Sequence, residues 1–391
     1  MEKSLTLADL QGRTRLLVLQ GSPFCNIDCD YCYLPRRDDR QRMHLDLVER
    51  SVSWIYRTGL AADDLTIAWH AGEPLVLVPE WYDDAFARAH RAAPRRARIR
   101  HAFQTNGVLI NDAWCDFFLR HNVSLGVSLD GPASLHDKHR RTRSGRGTHS
   151  RVMSGISNLK RRCVPFHVIA VVSEQTLTMA DAFVEFFLEN DIHEVGINIE
   201  EIEGQHRKST LEKAETQNQF RVFFEQVIDR AHASGRLHIR EFWRAFDVIS
   251  EPVLSAGNDE NTPFAIVSVS VDGRISTFSP ELLDQTDPMF GDFSVGCIDR
   301  SSLTDILANP RFIALNAQIL KGIDACRDSC AYFAVCGGGA PSNKLGELGN
   351  LAGTETLFCR LTTKEITEVV LARLSFALSR VGKCRGASPS P

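Results

Sequence analysis

Between residues 15 and 200, six short apolar runs alternate with amphipathic segments, and this alternation limits the fold more than any other feature of the chain. The runs are RLLVLQ (15–20), LTIAWH (65–70), RIRHAFQT (98–105), VSLGVSL (123–129), PFHVIAVVS (165–173) and EVGINIE (194–200). Apolar residues at helical spacing recur near 45–57, 80–91, 111–121, 148–161, 178–189 and 212–234. Strands that alternate with helices pair in parallel through right-handed crossovers. The expected fold is therefore α/β, a partial (β/α)6 TIM-like barrel over residues 1–235. In such barrels chemistry gathers on the loops that follow the strands. Residues 236–262 read as a connecting segment, and PFAIVSVSVDGRISTFS (263–279) reads as a β-hairpin turning at Asp272 and Gly273. A cysteine-rich C-terminal extension spans 263–380 and closes with a helix from about 362 to 380; residues 381–391 read as a disordered tail.

The chain has 11 cysteines, an odd number that argues against complete internal pairing. No apolar run reaches the ~18 residues of a membrane helix. The N-terminus lacks the basic-then-apolar layout of a secretory signal, so a cytoplasmic location is expected. Thiols stay reduced there, and clustered cysteines then point to metal or catalysis. The net charge of −4 gives no bulk nucleic-acid footprint, and nucleic acid is not an expected partner. Two basic stretches remain: 88–101 reads as solvated surface, and 139–151 as a contact for an anionic ligand.

Seven cysteines fall into two groups. Cys25, Cys29 and Cys32 form C-x3-C-x2-C on the loop after the first strand. A structural zinc site normally takes four ligands. Three thiolates on a four-iron cubane leave one iron open to a small molecule. Cys326, Cys330, Cys336 and Cys359 form C-x3-C-x5-C-x22-C, enough to close a zinc or an iron–sulfur site. Cys115, Cys163, Cys297 and Cys384 are scattered.

The first group, with Tyr31 before its third cysteine, resembles the radical S-adenosylmethionine (SAM) superfamily. WHAGEP (69–74) is similar to that family's Gly-Gly-Glu-Pro loop, with Ala71 replacing the first glycine. The resemblance implies that Gly72 and Glu73 receive the amino group of SAM, with His70 beside them. QTNG (104–107) resembles a pocket wall and implies Gln104 and Asn106. SLDGP (128–132) is similar to the ribose-binding segment and implies Ser128 and Asp130. Arg140 or a neighbouring arginine would then pair with the SAM carboxylate. The implied chemistry is cleavage of SAM to a 5′-deoxyadenosyl radical. A low-potential donor of ferredoxin or flavodoxin type would supply the electron.

The second group resembles the SPASM/twitch extensions of peptide-modifying members. Full extensions carry two auxiliary clusters; here Ser279 and Ala340 stand where cysteines are often found. One auxiliary [4Fe–4S] cluster is expected, on Cys326, Cys330, Cys336 and Cys359, with Cys297 a bystander. TFSPELL (277–283), GINIEEIEG (196–204) and the run from 330 to 361 look like the GrrM/OscB group, which acts on glycine-rich-repeat precursor peptides. This resemblance extends from about residue 13 to 372. It implies a carbon–carbon bond between an aromatic ring and the β-carbon of a residue two positions on, a three-residue cyclophane. A carboxylate must take the ring proton; Glu281 is the first candidate and Glu200 or Glu201 the second, since strand alternation turns only one of that pair inward. About 24 residues precede Cys25, so a leader peptide is expected to dock on the barrel, the extension or a separate protein. Alternatives are thioether formation or Cys/Ser oxidation by another SPASM-type maturase, a non-catalytic metal-binding scaffold, and tRNA modification through the arginine stretches.

Overall fold

The computed structural model describes residues 5–251 and 257–385. Its strands are β1 (Thr14–Leu19), β2 (Ile27–Cys29), β3 (Ala61–Trp69), β4 (Arg98–Thr105), β5 (Ser124–Ser128), β6 (Arg140–Thr142), β7 (His167–Val172), β8 (Glu194–Ile199), β9 (His238–Ile239), β10 (Ile266–Val269), β11 (Arg274–Thr277) and β12 (Gly296–Cys297). Ten of them form one sheet in the order β12-β11-β10-β1-β3-β4-β5-β7-β8-β9. Within that sheet the pairings of β1, β3, β4, β5, β7 and β8 are all parallel, and these six strands are the six apolar runs of the sequence. Helices Leu45–Arg57, Pro79–Ala92, Asp112–His121, His149–Arg161, Ala180–Glu189 and Thr216–Ser234 follow in the expected places.

Alternate residues of each strand face these helices. Leu65, Ile67 and Trp69 of β3 are fully buried between less buried neighbours. Trp69 and Phe103 meet Tyr82 at centroid distances of 5.1 and 4.8 Å, and Trp114 and Phe117 extend the aromatic layer. Each such buried ring contributes about 1.5–3 kcal/mol relative to exposure. Burial on the helix side leaves the strand C-termini, and the loops that leave them, as a common face.

The hairpin turns at Asp272 and Gly273 (φ 87°) as expected, with Val269 opposite Ile275. It also does something the pattern did not reveal. β10 pairs in parallel with β1, Leu17 opposite Val267, so the extension is built onto the barrel sheet. The segment read as a connection holds β9 and the helix Arg240–Ser250. Phe242, Phe246 and Ile249 lie on one face of that helix and pack on the core, a helical spacing that a linker reading overlooks. The last helix, Ile366–Arg385, runs into the predicted disordered tail, and residues 386–391 of that tail lie outside the described residues. No helix among the described residues is long and apolar enough to cross a membrane.

Candidate active site

The loop after β1 carries the first thiol trio. Within it β2 pairs antiparallel with β6, setting Cys29 opposite Arg140. Cys25 N–H donates to the Arg37 carbonyl (3.1 Å), Arg37 donates to the Cys29 carbonyl (3.1 Å), and Arg143 donates to the Cys25 carbonyl (2.8 Å). The second basic stretch thus braces the cysteine loop. Cys29 is buried, and Cys25 and Cys32 are half-buried. Burial, with the Glu73 charge second, pushes the Cys25 thiol up to about 12; burial also pushes Cys29 and Cys32 up. Three thiols on one loop that repel one another once ionised are a donor set that fits an iron cluster, with release of protons on binding.

The next three strand ends converge on this loop. Ala71 (φ 66°) and Gly72 (φ 151°) turn the chain after β3. A Cβ on Gly72 would collide with the Ser22 carbonyl oxygen, so only glycine lets the two loops touch. Glu73 is 2% exposed and accepts from Thr105 Oγ1 (2.6 Å), Asn106 N (2.7 Å) and Leu75 N (2.9 Å). Burial pushes its carboxyl up to about 7. A carboxylate has about four acceptor sites, so little capacity remains for an outside amine, and Glu73 first of all ties the β3 loop to β4. Asn106 donates to Asn26 Oδ1 (2.7 Å) and reaches Cys25 Sγ (3.8 Å). Gln104 donates to Ser128 Oγ across the β4–β5 pair (2.9 Å).

Asp130 and Arg140, 2% and 7% exposed, form a two-pronged ion pair at 2.9 and 3.1 Å. Tyr31 Oη (2.5 Å) and Val171 N (2.9 Å) also donate to Asp130. Burial opposes the Asp130 charge, yet Arg140 holds its carboxyl below the usual range. The arginine expected to meet a carboxylate of SAM therefore already has a carboxylate partner in the chain. Tyr31, Asp130 and Arg140 join the cysteine loop to the end of β5.

The second thiol set lies across the open side of the barrel. Cys326 is near the end of helix Pro310–Ser329, Cys330 follows it, Cys336 ends the short helix Phe333–Cys336, and Cys359 opens a π-helical turn. All four line a cavity of about 990 Å³ that is also lined by Ile197 of β8 and Ile266 of β10. Burial pushes the Cys359 thiol up to about 12, with the Cys336 charge next. Among the described residues no three His, Cys, Asp or Glu side chains stand close enough together to hold a single metal ion. Ser279 and Ala340 are buried, and Cys297 lies on β12, outside the cavity lining.

Seven carboxylates among the described residues line that cavity, and four of them, Glu201, Glu203, Glu260 and Glu281, have their carboxyls raised. The Asn343 amide bridges two of them, donating to Glu201 (2.7 Å) and Glu203 (2.8 Å). Burial, then mutual repulsion, pushes Glu281 up to about 8 and Glu203 well above the carboxylate range, and burial pushes Glu260 upward against the pull of Arg244. Burial pushes Glu201 up to about 7 despite its bond from Asn343. Glu200 points elsewhere: it accepts from Thr210 N (2.9 Å) and lies 3.2 Å from His206 Nε2. Burial works against its charge, but these bonds hold its carboxyl below the usual range, so it does not join Glu201 and Glu281. Tyr33 Oη and His70 Nε2 are hydrogen-bonded at 3.1 Å. Burial, then the charges of Glu281 and Cys32, push the Tyr33 hydroxyl up. Burial lowers His70 to about 4. Glu203, Asn343 and Tyr33 were not singled out from the sequence; GINIEEIEG carried the hint for Glu203 alone.

The chain matches the radical SAM superfamily over residues 19–187. It is 40% identical over 372 residues to an uncharacterised protein of Synechocystis sp., covering 94% of each. It is 32% identical over 197 residues to a serine-type anaerobic sulfatase-maturating enzyme of Bacteroides thetaiotaomicron, 49% of this chain and 47% of that one. The fold is similar to native anSMEcpe with bound AdoMet and a peptide (TM-score 0.76, 20% identity, 94% and 99% covered). It is also similar to Streptococcus suis SuiB bound to its precursor peptide SuiA (TM-score 0.59, 17% identity, 89% and 76% covered). With three thiols on the loop after the first strand of a parallel β/α sheet, the chain belongs to the radical SAM superfamily, as an enzyme that takes a [4Fe–4S] cluster and SAM.

Proposed function

We propose that this enzyme is a peptide maturase of the SPASM type that closes a three-residue cyclophane in a ribosomally made precursor peptide, in a reducing, cytoplasmic compartment. Cys25, Cys29 and Cys32 would hold the SAM-binding cluster, and Cys326, Cys330, Cys336 and Cys359 one auxiliary cluster. Gly72, Gln104, Asn106 and Ser128 would line the SAM site, with Glu73, Tyr31, Asp130 and Arg140 shaping it. When bound, cluster and SAM supply a 5′-deoxyadenosyl radical that removes one hydrogen atom from the peptide.

The observation that carries the reading is one cavity lined by both the four thiols and a group of raised carboxylates, Glu281 among them with its carboxyl at about 8. Joining an aromatic ring to a β-carbon removes one hydrogen from each. The ring hydrogen leaves as a proton, which a base poised near neutrality is suited to take, and the one electron left on the ring would pass to the auxiliary cluster that Cys326, Cys330, Cys336 and Cys359 would hold. Glu281 is that base in this reading; Glu201 and Glu203, bridged by Asn343, hold the proton next to it.

Oxidation of a Ser or Cys side chain is the second reading, favoured by the likeness to the Bacteroides sulfatase-maturating enzyme. Co-expression with a glycine-rich-repeat precursor, followed by tandem mass spectrometry, separates the two. A cyclophane removes two hydrogens and suppresses fragmentation inside a three-residue segment. Serine oxidised to an aldehyde also loses two hydrogens but reacts with hydrazide reagents, and that result would replace the cyclophane reading.

A further inference from the structure

Lys344 is an ammonium in a place where an unpaired charge is costly. It lies on the helix Pro341–Leu348, is 3% exposed, and its Nζ donates to Cys326 Sγ at 3.7 Å. Among the described residues no carboxylate lies within ion-pair distance of it; burial works against its charge, and Cys326, Cys336 and Cys359 favour it. A buried cation without a partner is among the least favourable things a fold can contain.

The position is also built. Gly322 precedes Cys326 by one turn on the helix Pro310–Ser329. A Cβ there would stand 2.9 Å from Lys344 Nζ and 2.5 Å from the Leu351 carbonyl oxygen. The helix omits a side chain where the lysine head must pass to reach the sulfur.

We propose that Lys344 is a positioning residue for the auxiliary cluster: its charge balances the anionic cluster on Cys326, Cys330, Cys336 and Cys359 and raises that cluster's reduction potential. This rests on the reading of those four cysteines as ligands. Adding an electron makes a thiolate-ligated cluster more negative, so a fixed cation in a poorly screened site favours the reduced form more than the oxidised one. The N–H···S bond acts in the same direction by drawing charge from the sulfur. The structural consequence is a cluster that accepts an electron more readily than its four thiolates alone would allow.

The test uses the full chain with Cys25, Cys29 and Cys32 each changed to Ala, so that only the auxiliary cluster is loaded. Potentiometric titration followed by electron paramagnetic resonance reads its midpoint. Lys344→Met keeps the stem and removes the charge; its midpoint is expected to move to more negative potential. Lys344→Arg keeps the charge and is expected to stay close to the parent. A Lys344→Met protein with full iron and an unmoved midpoint overturns the proposal. If that variant takes up no iron, the parent labelled with 15N-lysine decides: a 15N coupling to the reduced cluster supports the proposal, and its absence overturns it. Iron content of Cys326→Ala separates the two layers. Undiminished iron there defeats the ligand reading itself, whereas lost iron with an unmoved Lys344→Met midpoint defeats only the role of the lysine.

Discussion

Glu281 concentrates the chemistry at the residue scale. Burial first, then the charges of Glu260 and Glu201, raise its carboxyl, and its own charge acts in turn on Glu203 and on Tyr33 of the cysteine loop. Its carboxyl rises from an ordinary 4.5 to about 8, so the folded protein retains a proton that the unfolded chain gives up. Stability linked to this group is complete below about pH 4.5 and is lost as pH rises through about 8. Glu281→Gln is therefore expected to flatten the fall in urea stability of the iron-free protein over that window. It is also expected to lower crosslinking by about 100-fold or more, the usual scale for losing a general base, while SAM cleavage persists. Crosslinking at the parent rate would remove Glu281 from the mechanism. A second residue-scale expectation concerns Gly72, whose positive φ and contact with Ser22 exclude any Cβ. Gly72→Ala should cost more than about 2 kcal/mol in urea unfolding, as a backbone collision at a left-handed position does.

At the scale of elements, the site is held by pairs that join one strand end to the next. The Asp130–Arg140 pair fastens the β2–β6 ribbon to β5, and Glu73 fastens the β3 loop to β4. Removing one partner of a buried pair leaves an uncompensated charge. Arg140→Met should destabilise by about 3–5 kcal/mol, and the double change Arg140→Met with Asp130→Leu should recover part of that loss. Denaturant curves of the single and double variants measure both; equal stability of Arg140→Met and the parent would mean the pair does not brace the ribbon. These pairings also mark where the sequence stopped being readable. Period-two and period-3.6 patterns located β1, β3, β4, β5, β7, β8 and their helices, because burial on one side is written locally. Thiol spacing located both cysteine groups for the same reason. The Arg140–Asp130 bond was not foreseen, because a free arginine and a paired one have the same sequence. Asn343 meets Glu203 across 140 residues, a contact no local pattern encodes. The helix Arg240–Ser250 differs: its apolar spacing was present and was read as a linker.

In the whole molecule two thiol sets attach to one parallel sheet, which β10 and β11 extend beyond β1, with Ile266 of β10 beside the second set. Two four-iron clusters amount to roughly eight irons per chain. Anaerobically reconstituted protein should lose about half of its iron when Cys326, Cys330, Cys336 and Cys359 are changed to Ala, and should still cleave SAM. Unchanged iron content would dissolve the two-site arrangement. The most direct test of the central claim follows the ring hydrogen. A precursor peptide carrying ring-deuterated aromatic residues is treated with reconstituted enzyme, SAM and reductant, and the product is weighed by mass spectrometry. The account predicts loss of one deuterium and one hydrogen per crosslink; a modified product that keeps every ring deuterium would contradict it.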